Sequence, residues 1–182
     1  MDLTTLFKLQ KKLDKKIDEK RKITQPNLTE QEVLVQRVLA LIIEAGEYVN
    51  EVQSFKYWKM NKNVDNEKIK EEFADLLHFL INLSYIYEVE PIINPKVISN
   101  NINEQFQNLF IEISKLMIFI KENQTSLIKN QIHQIFEIAL GSFIELGFTF
   151  NVYVSYFLKT KKTLNDYIQT INKRKELLWI KY

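Results

Sequence analysis

Two stretches decide the fold: VLVQRVLALIIEAGEYVNEV at residues 33–52 and KIKEEFADLLHFLINLSYIY at residues 68–87. At about 100° per residue, Val38, Leu39, Leu41, Ile42, Ile43, Ala45, Val49 and Val52 cover an arc of roughly 200° on the first. That predicts a helix largely buried in a core. The narrow sector left over holds Arg37, Ala40, Glu44, Glu47 and Glu51. The second stretch repeats the arrangement, with Phe73, Leu76, Leu77, Leu80 and Leu83 as its core face. Glu71, Asp75, His78 and Asn82 share the other sector, with Glu72 beside them. A single acid pair one turn apart is an ordinary solvated face. Two such strips bordered by core residues are expected to face each other. Carboxylates converging there must repel, take up protons or share a cation. With no Cys and only two His in the chain, an all-oxygen site suits magnesium or manganese rather than zinc.

Working outward, Leu3, Leu6, Phe7, Leu13 and Ile17 form an amphipathic stripe on a first helix, interrupted by Gln10 and Asp14. Both polar heads need partners once that face is buried. Thr29 and Glu32 read as a capping box opening the second helix, which is expected to run to about Tyr57. A third helix starts at Asp65 as N-cap and is expected to stop at Pro91 and Pro95, making 89–98 the longest loop. Two further helices are expected at about 99–122 and 126–146, divided by Asn123, Gln124 and Thr125, with Gly147 as a left-handed cap. The stretch FTFNVYVSYFL reads as helix because no partner strand is evident, and a final helix spans about 165–179. The result is one all-α domain over residues 1–182, a bundle of about six to seven helices.

Composition narrows the function. Three Gly and three Pro among 182 residues disfavour a sandwich, a barrel or a glycine-rich dinucleotide fold. Lysine and arginine total 25 against 23 acids, for a net charge of +2, and no nucleic-acid partner is expected from so even a balance. No uncharged apolar run reaches the roughly 18 residues of a membrane span, and the N-terminus lacks a signal-peptide core. The expectation is a cytoplasmic protein with no membrane partner.

EAGEYVNE at 44–51 followed by EEFADLLHF at 71–79 resembles the paired ExxE and ExxD helices of the all-α nucleoside triphosphate pyrophosphatases, the MazG-like superfamily. Within it the chain is most similar to the dimeric dUTP diphosphatases. FKYWK at 55–59, LQKKLD at 9–14 and KKTLNDYIQ at 161–169 resemble further segments of that family. The resemblance implies a homodimer in which Glu44, Glu47, Glu72 and Asp75 bind two or more magnesium ions, manganese being an alternative. These act on the triphosphate of dUTP, giving dUMP and pyrophosphate, and dUDP is a second possible substrate. Glu47 is the candidate proton acceptor, with Glu44 as its catalytic companion. Gln10, Asp14 and Trp58 become candidates for the base pocket, Lys56, Lys59 and Lys161 for the phosphates, and Asn165 for sugar or phosphate. His78 and Asn82 are candidates to orient the ligand carboxylates. This sequence departs from the family at Asp14, where many members carry Asn, at Lys162, which replaces an Asn, and at Ile168, which takes the place of an Arg.

Three alternatives follow from the same residues. The acidic quartet serves phosphates whatever the base, so a MazG-like pyrophosphatase acting on dCTP or another nucleotide is one. A di-iron carboxylate bundle is another, but it needs two Glu-x-x-His motifs and the chain offers Asp75 with His78 alone. A non-catalytic helical relative is the third, supported by Ile168. His133, seen from sequence, has no acidic neighbour and no assigned role. The fourth and fifth helices carry the pattern of bundle packing and subunit contact.

Overall fold

A computed structural model describes residues 1–149, and among them the chain is all-α. Five helices are present: α1 Thr4–Thr24, α2 Glu30–Val52, α3 Asn66–Ile86, α4 Ile102–Lys121 and α5 Thr125–Glu145. The only β pairing among the described residues is an isolated antiparallel bridge between Asp2 and Ile92. The expected helix at FTFNVYVSYFL, for nearly all its length, and the one at 165–179 lie outside the described residues. No helix is long and apolar enough to cross a membrane among the described residues.

The capping box at the start of α2 is present: the Thr29 hydroxyl accepts from the Glu32 N–H, and Glu32 accepts from the Thr29 N–H at 2.8 Å. Asp65 caps α3 through Glu67 N–H. Helix ends were less well anticipated. α2 stops at Val52, not near Tyr57, because Gln53 adopts a left-handed conformation (φ 58°). α3 ends at Ile86, before either proline is reached. Glu88 turns left-handed (φ 55°) and the Val89 N–H bonds back to the Ser84 carbonyl. Asn123 (φ 56°) and the expected Gly147 (φ 83°) close α4 and α5 with the same backward bond.

α2 and α3 pack antiparallel, α4 and α5 form a second hairpin against them, and α1 lies along α3. The core between the hairpins is aromatic: Tyr48 meets Phe73 at 5.1 Å and Phe106 at 5.5 Å, and Phe73 stacks on Phe143 at 4.1 Å. Tyr48 and Phe73 each follow a strip acid, Glu47 and Glu72, so the rings anchor the two helices from behind while the acids face away from that core. The loop after α3 is held by buried Gln105, whose Nε2 donates to the Lys96 carbonyl at 2.9 Å and the Ile138 carbonyl at 3.0 Å. At Gly141 a Cβ would lie 2.0 Å from that Lys96 carbonyl, so only glycine lets the loop approach α5.

Three sequence expectations need correction. Leu39 and Ile43, assigned to the buried arc of α2, are 51% and 57% exposed, because α3 and α4 cover only part of that arc. Ile17 is also exposed at the end of its stripe. His133 does have an acidic neighbour, Glu137 one turn on, at 3.8 Å.

Candidate metal centre

The antiparallel register of α2 and α3 sets the two acidic strips against each other. One carboxylate oxygen each from Glu44, Glu72 and Asp75 lies within 4.8 Å of the others. Glu47 stands at the exposed rim, hydrogen-bonded to Glu72, and its charge acts on all three. Glu51 adds its charge to Glu72, and Glu71 to Asp75. Partial burial first, and then the negative neighbours, push Glu44 and Glu72 up to about 7. The same causes raise Asp75 to about 6. Among the described residues, the charges that act most strongly on these three groups are all acidic. A donor set of oxygens alone, half-buried and mutually repelling, fits a hard divalent cation such as magnesium.

Further along α3 the same stripe carries a different structure. Asp14, buried on α1, accepts from Gln10 Nε2 at 2.9 Å on one oxygen. Its other oxygen accepts from Asn82 Nδ2 at 2.7 Å and the Tyr85 hydroxyl at 2.8 Å. Gln10 Oε1 lies 2.7 Å from His78 Nδ1. Burial raises the Asp14 carboxyl, and the three hydrogen bonds and the nearby Arg37 charge pull it back down. A cavity of about 540 Å³ opens beside this network, with Asp14, Phe79, Asn82 and Arg37 in its wall. Arg37 itself pairs with Asp18 at 3.1 Å.

The structure therefore brings Glu44, Glu72 and Asp75 into one group with Glu47 at its edge, and brings Gln10, Asp14, His78 and Asn82 into another. Trp58 joins neither. It is 61% exposed on the loop after α2, edge-on to Phe55 and Tyr57. Lys56 on that loop donates to the Asn50 carbonyl at 3.0 Å, and Lys59 to Gln53 Oε1 at 3.3 Å. Lys161 and Asn165 lie outside the described residues. Sequence reasoning missed Tyr85 and Phe79. Tyr85 follows Asn82 by three positions and so continues the polar sector of α3 by one more turn, a signal the pattern did contain.

An all-α chain with facing acidic strips on consecutive helices is the arrangement of a helical nucleotide pyrophosphatase. A family model described as dUTPase matches residues 2–173, and the chain belongs to that family, the dimeric all-α dUTPases. No curated protein and no solved structure matches it.

Proposed function

We propose that the chain hydrolyses dUTP to dUMP and pyrophosphate in a magnesium-dependent reaction, with manganese able to substitute. The observation that carries this reading is the convergence of Glu44, Glu72 and Asp75 from two helices, with carboxyls raised by their own repulsion. Two or more divalent ions, when bound, would supply charge neutralisation for the triphosphate and acidify the attacking water. Glu44, Glu72 and Asp75 are the ligands at the centre. Glu47, exposed at the rim, would be a further ligand and the group to take the proton of that water.

The Gln10 and Asp14 network and the cavity beside it supply the place for the base, with Phe79 as an apolar wall. Lys56 and Lys59 sit on the loop that follows the acidic strip of α2, suited to the outer phosphates as point charges. Lys161 and Asn165 enter by the family resemblance alone. His78 and Asn82 act on the base side of the site.

Homodimer formation is part of the proposal. Leu39 and Ile43 on α2 and Ile111 and Ile118 on the adjoining α4 are half exposed. Between them Gly46, Phe110 and Phe55 wall a groove of about 370 Å³. Such a strip beside the acidic rim fits a second copy of the chain. Light scattering should give twice the chain mass, and Ile43→Glu should halve it.

The activity is tested by magnesium-dependent pyrophosphate release over a panel of deoxynucleoside triphosphates. dUTP should be preferred, and Asp75→Asn should abolish turnover. A preference for dCTP or a purine nucleotide would overturn the base assignment and leave the metal centre standing. Unchanged turnover in Asp75→Asn and Glu47→Gln would overturn the metal centre itself.

A further inference from the structure

A carboxylate can only accept hydrogen bonds, whereas an amide offers a donor on one side and an acceptor on the other. At position 14 this difference propagates. Because Asp14 accepts on both oxygens, Gln10 must turn its amide nitrogen toward it, as observed at 2.9 Å. The Gln10 carbonyl is then left facing His78 Nδ1, at 2.7 Å. A carbonyl facing a ring nitrogen demands an N–H there. On the other flank Asn82 has also turned its nitrogen to Asp14, and its own Oδ1 is buried with no hydrogen-bond partner among the described residues. Tyr85 donates as well. Every neighbour is thus oriented by the acceptor demand of one residue.

We propose that Asp14 is a positioning residue that fixes the direction of this hydrogen-bond chain and holds His78 as the neutral Nδ1–H tautomer, leaving Nε2 as an acceptor. An Asn at position 14 would permit either direction, so the departure from the family pattern noted at this residue has a physical effect.

The test is a long-range ¹H–¹⁵N spectrum of the full chain carrying His133→Gln, so that His78 is the one imidazole, at a pH of about 8, above the ordinary histidine range. The parent should show the Nδ1–H pattern. Asp14→Asn, close in shape, should shift it to Nε2–H or to a mixture of the two. Tyr85→Phe, which removes one donor to Asp14 without altering the demand on Gln10, should leave it unchanged and so controls for general loosening. An Nε2–H ring in the parent, or an unaltered ring in Asp14→Asn, overturns the proposal whatever the substrate.

Discussion

α3 carries two carboxylate centres on one stripe, and they differ in how their charges are met. At the candidate metal centre, Glu72 and Asp75 face Glu44 and Glu47, and the negative neighbours make ionisation harder. Two turns further on, His78, Asn82 and Tyr85 join α1 around Asp14, where three donors converge on one acid. Asp14 is the more deeply buried of the two cases, and its hydrogen bonds offset part of the burial, which still holds its carboxyl above the ordinary value. A satisfied buried acid orders its surroundings. Among the described residues the other acids repel one another, a condition that a bound cation would relieve.

The sharpest way to break this distinction is to remove one member of each centre. Asp75→Asn or Glu72→Gln should lower magnesium-dependent pyrophosphate release by about 10³-fold, the upper end for loss of one preorganised electrostatic contact. The fold should survive, and the metal-free protein should melt at a higher temperature because a repulsive charge is gone. A lower melting temperature in chelator would make the acids structural and erase the contrast. Asp14→Ala should do the reverse. It strands three donors, at about 1–3 kcal/mol for a group left unsatisfied. A total loss of about 3 kcal/mol, read from urea midpoints and not recovered by magnesium, is expected.

A weaker effect separates the centres by pH. Glu44 and Glu72 at about 7 and Asp75 at about 6 are raised in the folded chain above their ordinary values of 4.5 and 3.8. Between pH about 4 and 7 the folded state therefore holds more protons than the unfolded one, and stability falls as pH rises through that interval. In chelator the midpoint temperature should drop by a few degrees from pH 5 to pH 8, and Glu44→Gln should reduce the drop. Magnesium should raise the midpoint more at pH 8 than at pH 5. The smallest change expected is in Tyr85→Phe, which removes one of the three donors and should cost about 1 kcal/mol, measured by the same urea titration.

The two centres were unequally legible in the sequence. The acidic strips follow from helical periodicity, because four carboxylates within two short windows leave few ways to pack. Gln10 and Asp14 announced only that they lacked partners. They bond each other one turn apart, but their other partners lie 68 to 71 positions away, at a separation no local pattern encodes. Helix ends were obscured for a related reason. With so few glycines, the chain closes α2, α3 and α4 with Gln53, Glu88 and Asn123 in the left-handed region, and only Asn among these is an ordinary signal for it. The prolines at 91 and 95 therefore follow a helix that has already ended at Ile86. Leu39 and Ile43 show the remaining limit: periodicity identifies an apolar face but not what covers it.

One rigid rod joins the two centres. Asp75 and Asn82 are seven positions apart on α3, a rise of about 10 Å at 1.5 Å per residue. Since no hinge intervenes, α3 works as a gauge whose span no side-chain substitution can stretch. A single residue inserted between Asp75 and His78 would swing everything beyond it by about 100°, turning His78, Asn82 and Tyr85 away from Gln10 and Asp14 while Glu72 and Asp75 keep their place on the helix. Selection by ligand length would therefore be written into the helical pitch itself.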